Sequence, residues 1–309
     1  MTQKPILVWG EALADLVPEP GEDGRYRALL GGSGFNTALA IARCGAPVAL
    51  CASLSQDAIG RRFRTRLAQE GIGGDWLGSS PAPTPLAVIE PIAADGAAAY
   101  RFHLTDTAFA AAPPLPDDPS AFAHLHLTSF GASVGAPGAA AARLMADMSA
   151  AGVSISYDLN IRPPALPARE AALAAMADRI ACCDLVKLSA EDEGWVGADW
   201  LSASLAACRR PPLLLRTDGA DGAVLSGPHG LHLPVAAPPV AMRDSIGAGD
   251  VFMGALLAAL HRRGRLGAAL RQAGRQDFAA SLGFAARVAS ANCEVPGCDP
   301  PRLALPVSE

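Results

Sequence analysis

The stretch RDSIGAGDVFMGALLAAL, residues 243–260, places an aspartate directly after a Gly-Ala-Gly turn and ahead of an apolar pattern with helical spacing. The first backbone N–H groups of a helix lack a carbonyl partner, and the helix dipole favours negative charge there. Small residues at Gly247, Ala248 and Gly249 would let a phosphate approach these amides closely. The same dipole favours an ionised Asp250, which suits a carboxylate that accepts a hydroxyl proton. An anion cradle beside a base is what phosphoryl transfer to an alcohol requires.

Taken alone, this turn would be an ordinary helix start at which Asp250 is only an N-terminal charge. The better-known phosphate motifs do not decide the question. The chain has no Gly-x-Gly-x-x-Gly fingerprint, and no lysine follows the turn to make a Walker A loop. A second segment is needed to choose between the two interpretations.

That second segment is residues 31–72, in which a glycine pair precedes Asn36 and a helix, followed by a strand and then Asp57-x-x-Gly60 at the start of another helix. A serine-hydrolase elbow would need Gly-x-Ser-x-Gly, and GGSGF has Phe35 in the last position. Together with DSIGAGDVF, the segment resembles the two signatures of the ribokinase-like (pfkB-type) carbohydrate kinase family, in the same order and separation. The resemblance runs over essentially the whole chain and implies ATP-dependent phosphorylation of a sugar hydroxyl.

The resemblance implies roles for residues around the sugar. Asp250 would be the general base, and the turn 247–249 would be the anion hole for the transferred phosphoryl group. Arg162, in YDLNIRP, would neutralise transferring charge, although a surface salt bridge is an equally good interpretation. Asp15, in GEALADLVP, would accept hydrogen bonds from sugar hydroxyls. The expected substrate-binding residues are Asp15, Gly31, Gly32, Asn36, Arg101 and Thr107.

The resemblance also implies a nucleotide site and metal ions. TDGADG, residues 217–222, resembles the family's turn around the nucleotide phosphates and ribose; alone it would be an ordinary Gly-rich hairpin. Many relatives have Asn-x-x-Glu, tied to magnesium, where this chain has Ser189-x-x-Asp192, which leaves open whether Asp192 or a neighbouring glutamate orders the metal shell. The expected nucleotide-binding residues are Asn160, Lys187, Thr217, Gly219, Gly222 and Asn292. The expected cofactors are ATP and Mg²⁺, with K⁺ at Asp244 as a further candidate.

The identity of the sugar is less well indicated. GEALADLVP, AYRFHLTDTA and DLNIRP are together most similar to fructokinases. The 2-keto-3-deoxygluconate kinases share several of these features, since Arg101 or Arg162 could equally pair with a sugar-acid carboxylate, and a ribokinase-type activity is a further alternative. The departure at Ser189 and Asp192 also fits a non-catalytic sensor of sugar or nucleotide.

The elements that must position these residues alternate along the chain. Buried apolar runs at 5–10, 47–53, 124–129, 153–159, 184–189 and 212–219 are separated by helical patterns. This alternation predicts an α/β fold, and the resemblance makes it a three-layer, doubly wound, mostly parallel sheet.

Residues 11–30 and 84–108 break this alternation with four strand-like segments and no intervening helix, including a hairpin-type turn at 93–96. They predict a small antiparallel β lid over the sugar site, with an α/β core made of 1–10, 31–83 and 109–309. Because such a lid has exposed edges and one face that needs cover, we expect a homodimer in which lids pack together.

The bulk properties narrow the class of protein. Half of the 309 residues are hydrophobic, 18% are charged, and the net charge is −5, which gives no general attraction to nucleic acid or anionic membranes. The basic run at 261–275 lacks interleaved aromatics and is interpreted as a solvated helix face. No apolar run predicts a signal peptide or a membrane span. Seven cysteines without a Cys-x-x-Cys pair indicate reduced thiols. We therefore expect a cytoplasmic protein whose partners are a sugar and ATP.

Overall fold

A nine-stranded sheet forms the centre of the protein in a computed structural model that describes residues 3–19, 24–90 and 99–303. With strands numbered in chain order, it contains β1 (Ile6–Trp9), β4 (Val48–Ser55), β5 (Leu77–Ser80), β8 (His124–Thr128), β9 (Ser154–Asp158), β10 (Leu185–Ser189), β11 (Leu213–Thr217), β12 (Ala223–Gly227) and β13 (Leu231–Val235). The spatial order is β13-β12-β11-β10-β9-β8-β1-β4-β5. In this spatial order, the seven strands between β11 and β5 inclusive run parallel to one another. β12 and β13 are added at one edge as antiparallel strands.

All six strands predicted from apolar runs are confirmed. The other three strands, β5, β12 and β13, were not predicted because none has an uninterrupted apolar run. They are LGSS, AVLSG and LHLPV, in which polar residues, glycine or proline interrupt the pattern.

Helices cover both faces of this sheet. They are α1 (Ser33–Arg43), α2 (Ala58–Gln69), α3 (Gly135–Ala150), α4 (Arg169–Ile180), α5 (Ala190–Val196), α6 (Ala198–Ala207), α7 (Ala248–Arg262) and α8 (Arg275–Asn292). One apolar core packs α1, α2, α7 and α8 on one face, and a second packs α3 to α6 on the other. The predicted three-layer α/β class is therefore confirmed. None of the helices within the described ranges is both long and apolar enough to cross a membrane.

A second, four-stranded sheet is formed by β2 (Leu13–Pro18), β3 (Tyr26–Gly31), β6 (Leu86–Glu90) and β7 (Ala99–His103) in the order β3-β2-β6-β7. Its outer pairs, β2–β3 and β6–β7, are antiparallel as expected, whereas the central pair β2–β6 runs parallel. The turn predicted at 93–96 lies outside the described residues.

The two sheets meet at the carboxyl edge of the large one. β2 follows directly from the end of β1, and β3 leads directly into α1. Since β1 and β8 to β11 are parallel, their carboxyl ends lie at this same edge, where ligands of open α/β sheets bind.

Candidate active site

Asp250 lies in the first turn of α7 and is only 6% exposed, although its side chain is acidic. Three side chains hydrogen-bond to its carboxylate. Ser33 and Asn160 donate to Oδ1, the latter over 3.0 Å, and Asn36 donates to Oδ2 over 2.9 Å. The base predicted from the sequence thus sits in a prepared set of donors, from both the glycine-pair segment and the DLNIRP segment.

The local backbone explains how these donors converge. Gly32 precedes α1 with φ of +93°, and a Cβ there would lie 2.6 Å from the carbonyl oxygen of Glu11, so only glycine fits. This sharp entry brings the first turn of α1 under α7. Asn160 has φ of +38°, in the left-handed region that asparagine tolerates better than most residues. The turn after β9 therefore aims its amide at Asp250.

Burial raises the pKa of Asp250 above its ordinary value, and the hydrogen bonds from Ser33 and Asn36 oppose that rise, as do the charges of Lys187 and Arg162. A carboxylate in a dry site is a stronger base than one in water. The donors and cations keep it available in its ionised form, which is what a general base requires.

The turn before α7 lies above a buried cation. Gly247 has φ of +73°, the left-handed conformation that favours glycine. Under the next glycine, Lys187 Nζ lies 3.1 Å from where a Cβ of Gly249 would be, and it pairs with Asp158 over 2.7 Å. Burial would lower the pKa of Lys187, but Asp158 and other nearby carboxylates raise it above its ordinary value. The amides of 247–249 are therefore backed by a fixed positive charge.

Asp15, which the sequence analysis expects to bind substrate, is a buried carboxyl at the start of the small sheet. No hydrogen bond to its carboxylate is made within the described ranges of the chain, although the residue is only 8% exposed. A Cβ at Gly31 would lie 2.1 Å from its Oδ2, so the neighbouring strand needs glycine. Burial raises the pKa of Asp15 to about 7; the charge of Asp250 adds to this, and that of Arg162 opposes it. Asp15 thus lies close enough to Asp250 for the two charges to interact.

Glu11 is a buried carboxyl that the sequence analysis did not identify. It is 5% exposed and its Oε1 accepts a hydrogen bond from the backbone N–H of Ser33 over 3.2 Å. Its Oε2 has no partner among the described residues. Burial raises the pKa of Glu11 to about 7, with a smaller contribution from Asp250. The sequence alone predicts that an acidic residue just after a strand is exposed. Glu11 is buried instead, because elements far along the chain cover it.

The small sheet contributes an aromatic wall. Tyr100 stacks on Phe102 with ring centroids 6.1 Å apart, and Phe102 meets Phe130 edge-on at 5.6 Å. Burial and then the charge of Asp15 raise the pKa of Tyr100, so its ring lies near that carboxylate.

Two of the residues expected to bind substrate are engaged elsewhere. Arg101 points to the opposite face of β7 from Tyr100, where it is exposed and pairs with Glu90 over 3.0 Å. The structure does not bring it into the pocket. Thr107 is buried and donates its hydroxyl to the carbonyl of Leu104 over 2.6 Å, which holds the turn after β7.

Arg162 faces the pocket rather than the protein surface. It is half-buried, and its only hydrogen bond within the described parts of the chain goes to the carbonyl of Ile161. Its charge lowers the pKa values of Glu11 and Asp15 against the effect of burial. Because Arg162 has no carboxylate partner among the described residues and its charge acts on Glu11 and Asp15, the role of neutralising transferring charge fits it better than a surface salt bridge.

The segments expected to hold the nucleotide lie along the same edge. Thr217 ends β11, and the turn from Gly219 to Gly222 follows it. Asn292, by contrast, is fully buried; it donates to the carbonyl of Ile246 over 3.2 Å and accepts from the N–H of Asp299. The structure therefore makes Asn292 a brace for the loop before α7 rather than a contact for a nucleotide.

The residues expected near metal ions are held by backbone groups. Asp244 accepts from the N–H groups of Ile246 and Gly297, and Asp192 accepts from those of Ser189 and Ile161. Within the described ranges, no group of three or more His, Cys, Asp or Glu side chains forms a cage for a metal. The donors fit a cation such as Mg²⁺ that is held mainly by phosphate and water oxygens, with few carboxylates.

An orphaned oxygen at the same edge fits this arrangement. Asp158 Oδ1 is buried without a hydrogen-bond partner among the described residues. It offers a free carboxylate oxygen close to Lys187 and the turn before α7.

Comparisons with known proteins agree with this geometry. Residues 3–304 match the pfkB family carbohydrate kinase pattern. The chain is 33% identical over 269 residues to a fructokinase from Rhizobium leguminosarum bv. trifolii, covering 82% of this chain and 79% of the relative. It is 30% identical over 268 residues to an aminoimidazole riboside kinase from Salmonella typhimurium, covering 83% and 81%. A crystal structure of fructokinase from Xylella fastidiosa with bound ATP superposes with a TM-score of 0.85 at 26% identity, covering 96% of this chain and 94% of that one.

Proposed function

Since the chain belongs to the pfkB family of carbohydrate kinases, we propose that this sugar kinase transfers the γ-phosphoryl group of ATP to a hydroxyl of fructose. One observation carries the proposal. A buried carboxylate, Asp250, stands at the amide-rich start of α7, and its charge acts on Asp15, whose carboxylate accepts no hydrogen bond within the described ranges. The base, the anion site and the polyol site are therefore adjacent.

The residues of the pocket divide the work. Asp15 accepts hydrogen bonds from the sugar, while Asp250 accepts the proton of the attacking hydroxyl. The amides of 247–249, supported by Lys187, stabilise charge that develops on the transferred group, and Arg162 adds a second cation. The small sheet acts as a lid that excludes water, which would otherwise hydrolyse ATP.

The cofactor and assembly proposals follow from the same site. We propose Mg²⁺ as the ion that accompanies ATP; when bound, it neutralises phosphate charge. A monovalent cation such as K⁺ would bind near Asp244. We further propose that the protein works in the cytoplasm as a homodimer joined through the small sheet; light scattering that shows only monomer at micromolar concentration would contradict the dimer.

The direct test is a panel of fructose, ribose and 2-keto-3-deoxygluconate with MgATP, with Asp250→Asn as the paired variant. The variant should lose about 10²–10⁴-fold in kcat while it still binds sugar and nucleotide by calorimetry. A protein that binds these ligands but phosphorylates none of them, and is indifferent to the substitution, would instead be a sensor.

A second candidate substrate is a riboside with an aromatic base. The aromatic wall of Tyr100 and Phe102 offers a stacking surface near Asp15, and one relative is named an aminoimidazole riboside kinase. Adding aminoimidazole riboside to the panel separates the two, because the substrate with the higher kcat/KM identifies the pocket.

A further inference from the structure

The Ser33 hydroxyl is the centre of a buried polar cluster beneath the base. It is hydrogen-bonded to Asp250 Oδ1, to the Thr128 hydroxyl and, over 2.8 Å, to the Asn160 amide nitrogen. A serine has one proton to donate, and an ionised carboxylate can only accept. Ser33 therefore donates to Asp250, and its two lone pairs accept from Thr128 and Asn160.

Ser33 is held from several directions. Its backbone N–H donates to Glu11 Oε1 over 3.2 Å. Its side chain is hydrogen-bonded to Thr128, a fully buried residue at the carboxyl end of β8. A hydroxyl whose own lone pairs accept two hydrogen bonds is polarised and becomes a better donor. Thr128 thus acts on Asp250 only through Ser33.

The hydrogen-bonding capacity of the carboxylate then distinguishes its two oxygens. A carboxylate offers about four acceptor positions, two on each oxygen. Oδ1 already accepts from Ser33 and Asn160, whereas among the described residues Oδ2 accepts only from Asn36. The remaining position belongs to Oδ2.

We propose that Ser33, supported by Thr128, is a positioning residue that fixes the Asp250 carboxylate and leaves Oδ2 as the oxygen that accepts the substrate proton. In that step the hydroxyl proton moves to Oδ2 while the hydroxyl oxygen bonds to the γ-phosphorus. The bond from that phosphorus to the bridging oxygen breaks, and its electron pair leaves with ADP. The proton passes to solvent when product departs. This inference rests on the proposed kinase function.

The test compares the pH profile of kcat/KM in wild type, Ser33→Ala and Thr128→Val. Loss of a hydrogen bond to a charged group should move the acidic limb upward by about 1–2 pH units in Ser33→Ala. Thr128→Val keeps the shape of the side chain nearly unchanged. It should shift the acidic limb in the same direction, but by less. Because Thr128 acts through Ser33, the double variant should match Ser33→Ala alone.

Thr37→Val is the matched control. Thr37 lies one turn further along α1, is fully buried, and its hydroxyl has no hydrogen-bond partner in the described part of the chain. Its substitution removes a buried hydroxyl next to the site without touching Asp250, so the acidic limb should stay in place. An equal shift in Thr37→Val and Thr128→Val would overturn the proposal, because it would reflect loosened packing.

A second readout separates this inference from the kinase proposal. The carboxyl carbon of Asp250 can be titrated by NMR in ¹³C-aspartate-labelled protein, with Asp250→Asn for assignment, whether or not any sugar is phosphorylated. Its titration should move upward in Ser33→Ala and in Thr128→Val. An unmoved titration, or additive shifts in the double variant, would refute the role of Ser33. If Ser33→Ala does not fold, Thr128→Val against Thr37→Val decides the matter.

Discussion

We expect the substitution Glu11→Gln to change the free energy of unfolding in a pH-dependent way. The difference between variant and wild type should be more favourable to the variant at alkaline pH than at acidic pH. Burial raises the pKa of Glu11 from 4.5 to about 7 in the folded protein. A group whose pKa is raised by folding binds its proton more tightly in the folded state. Its contribution to stability is therefore fully present below pH 4.5 and is lost as the pH rises through 7.

The magnitude follows from the width of that window. Between pH 5 and pH 8 the wild-type carboxyl gives up roughly 2–3 kcal/mol of unfolding free energy, at about 1.4 kcal/mol for each unit of pKa difference. Glutamine does not titrate, so the variant keeps this amount. Any pH-independent effect, such as a changed hydrogen bond to Ser33, cancels when the two pH values are compared.

The assay is urea unfolding followed by tryptophan fluorescence at pH 5 and pH 8. Glu90→Gln is the control, since Glu90 is exposed and paired with Arg101 on the outer face of the small sheet. Its stability relative to wild type should be the same at both pH values. If Glu11→Gln also changes stability equally at pH 5 and pH 8, the carboxyl titrates normally and the account of a dry, charged pocket is wrong.

Three further substitutions test separate parts of the site. Lys187→Met should destabilise the protein by about 3–5 kcal/mol in urea unfolding, because Asp158 loses its buried counter-ion 2.7 Å away; adding Asp158→Asn should recover part of that loss. Gly31→Ala should raise the KM for sugar about tenfold or more, because a Cβ there would lie 2.1 Å from Asp15 Oδ2; an unchanged KM would mean that Asp15 does not hold the sugar. Arg101→Ala should leave KM within about twofold, because the side chain is on the outer face of the small sheet, and a tenfold rise would place it back in the pocket.

The class of fold followed from local patterns in the sequence, whereas the role proposed for Asp250 also needed the resemblance carried by residues 31–72. Apolar runs of strand length between helical patterns need a parallel sheet, and the Gly-Ala-Gly turn before a helix needs an anion or a charge. For Arg101, the local pattern of the sequence argues against the substrate-binding role that the resemblance implies. In AYRFH the aromatic residues alternate with Arg101 and His103, and this period of two already places the arginine on the polar face.

Other parts of the site depend on contacts that no local pattern contains. Lys187 and Asp158 are neighbours only because β9 and β10 pair in a particular register. Ser33, the third residue of GGSGF, meets Thr128 only because β8 and α1 pack together in the folded protein. The burial of Glu11 has the same origin.

The distribution of charge in the pocket explains why so many acids can lie together. Burial raises the pKa values of Glu11, Asp15 and Asp250, and the charge of Asp250 raises those of Glu11 and Asp15 further. If all were ionised without compensation, the folded state would be strongly disfavoured. Lys187, Arg162 and the start of α7 supply positive charge around them, but only Asp250 also receives three side-chain donors. The hydrogen bonds and cations therefore oppose the effect of burial on the pKa of Asp250, while burial raises the pKa values of Glu11 and Asp15 to about 7. Activity should consequently rise with pH as Asp15 loses its proton near pH 7, over the same range in which ionisation of the buried acids lowers the stability of the protein.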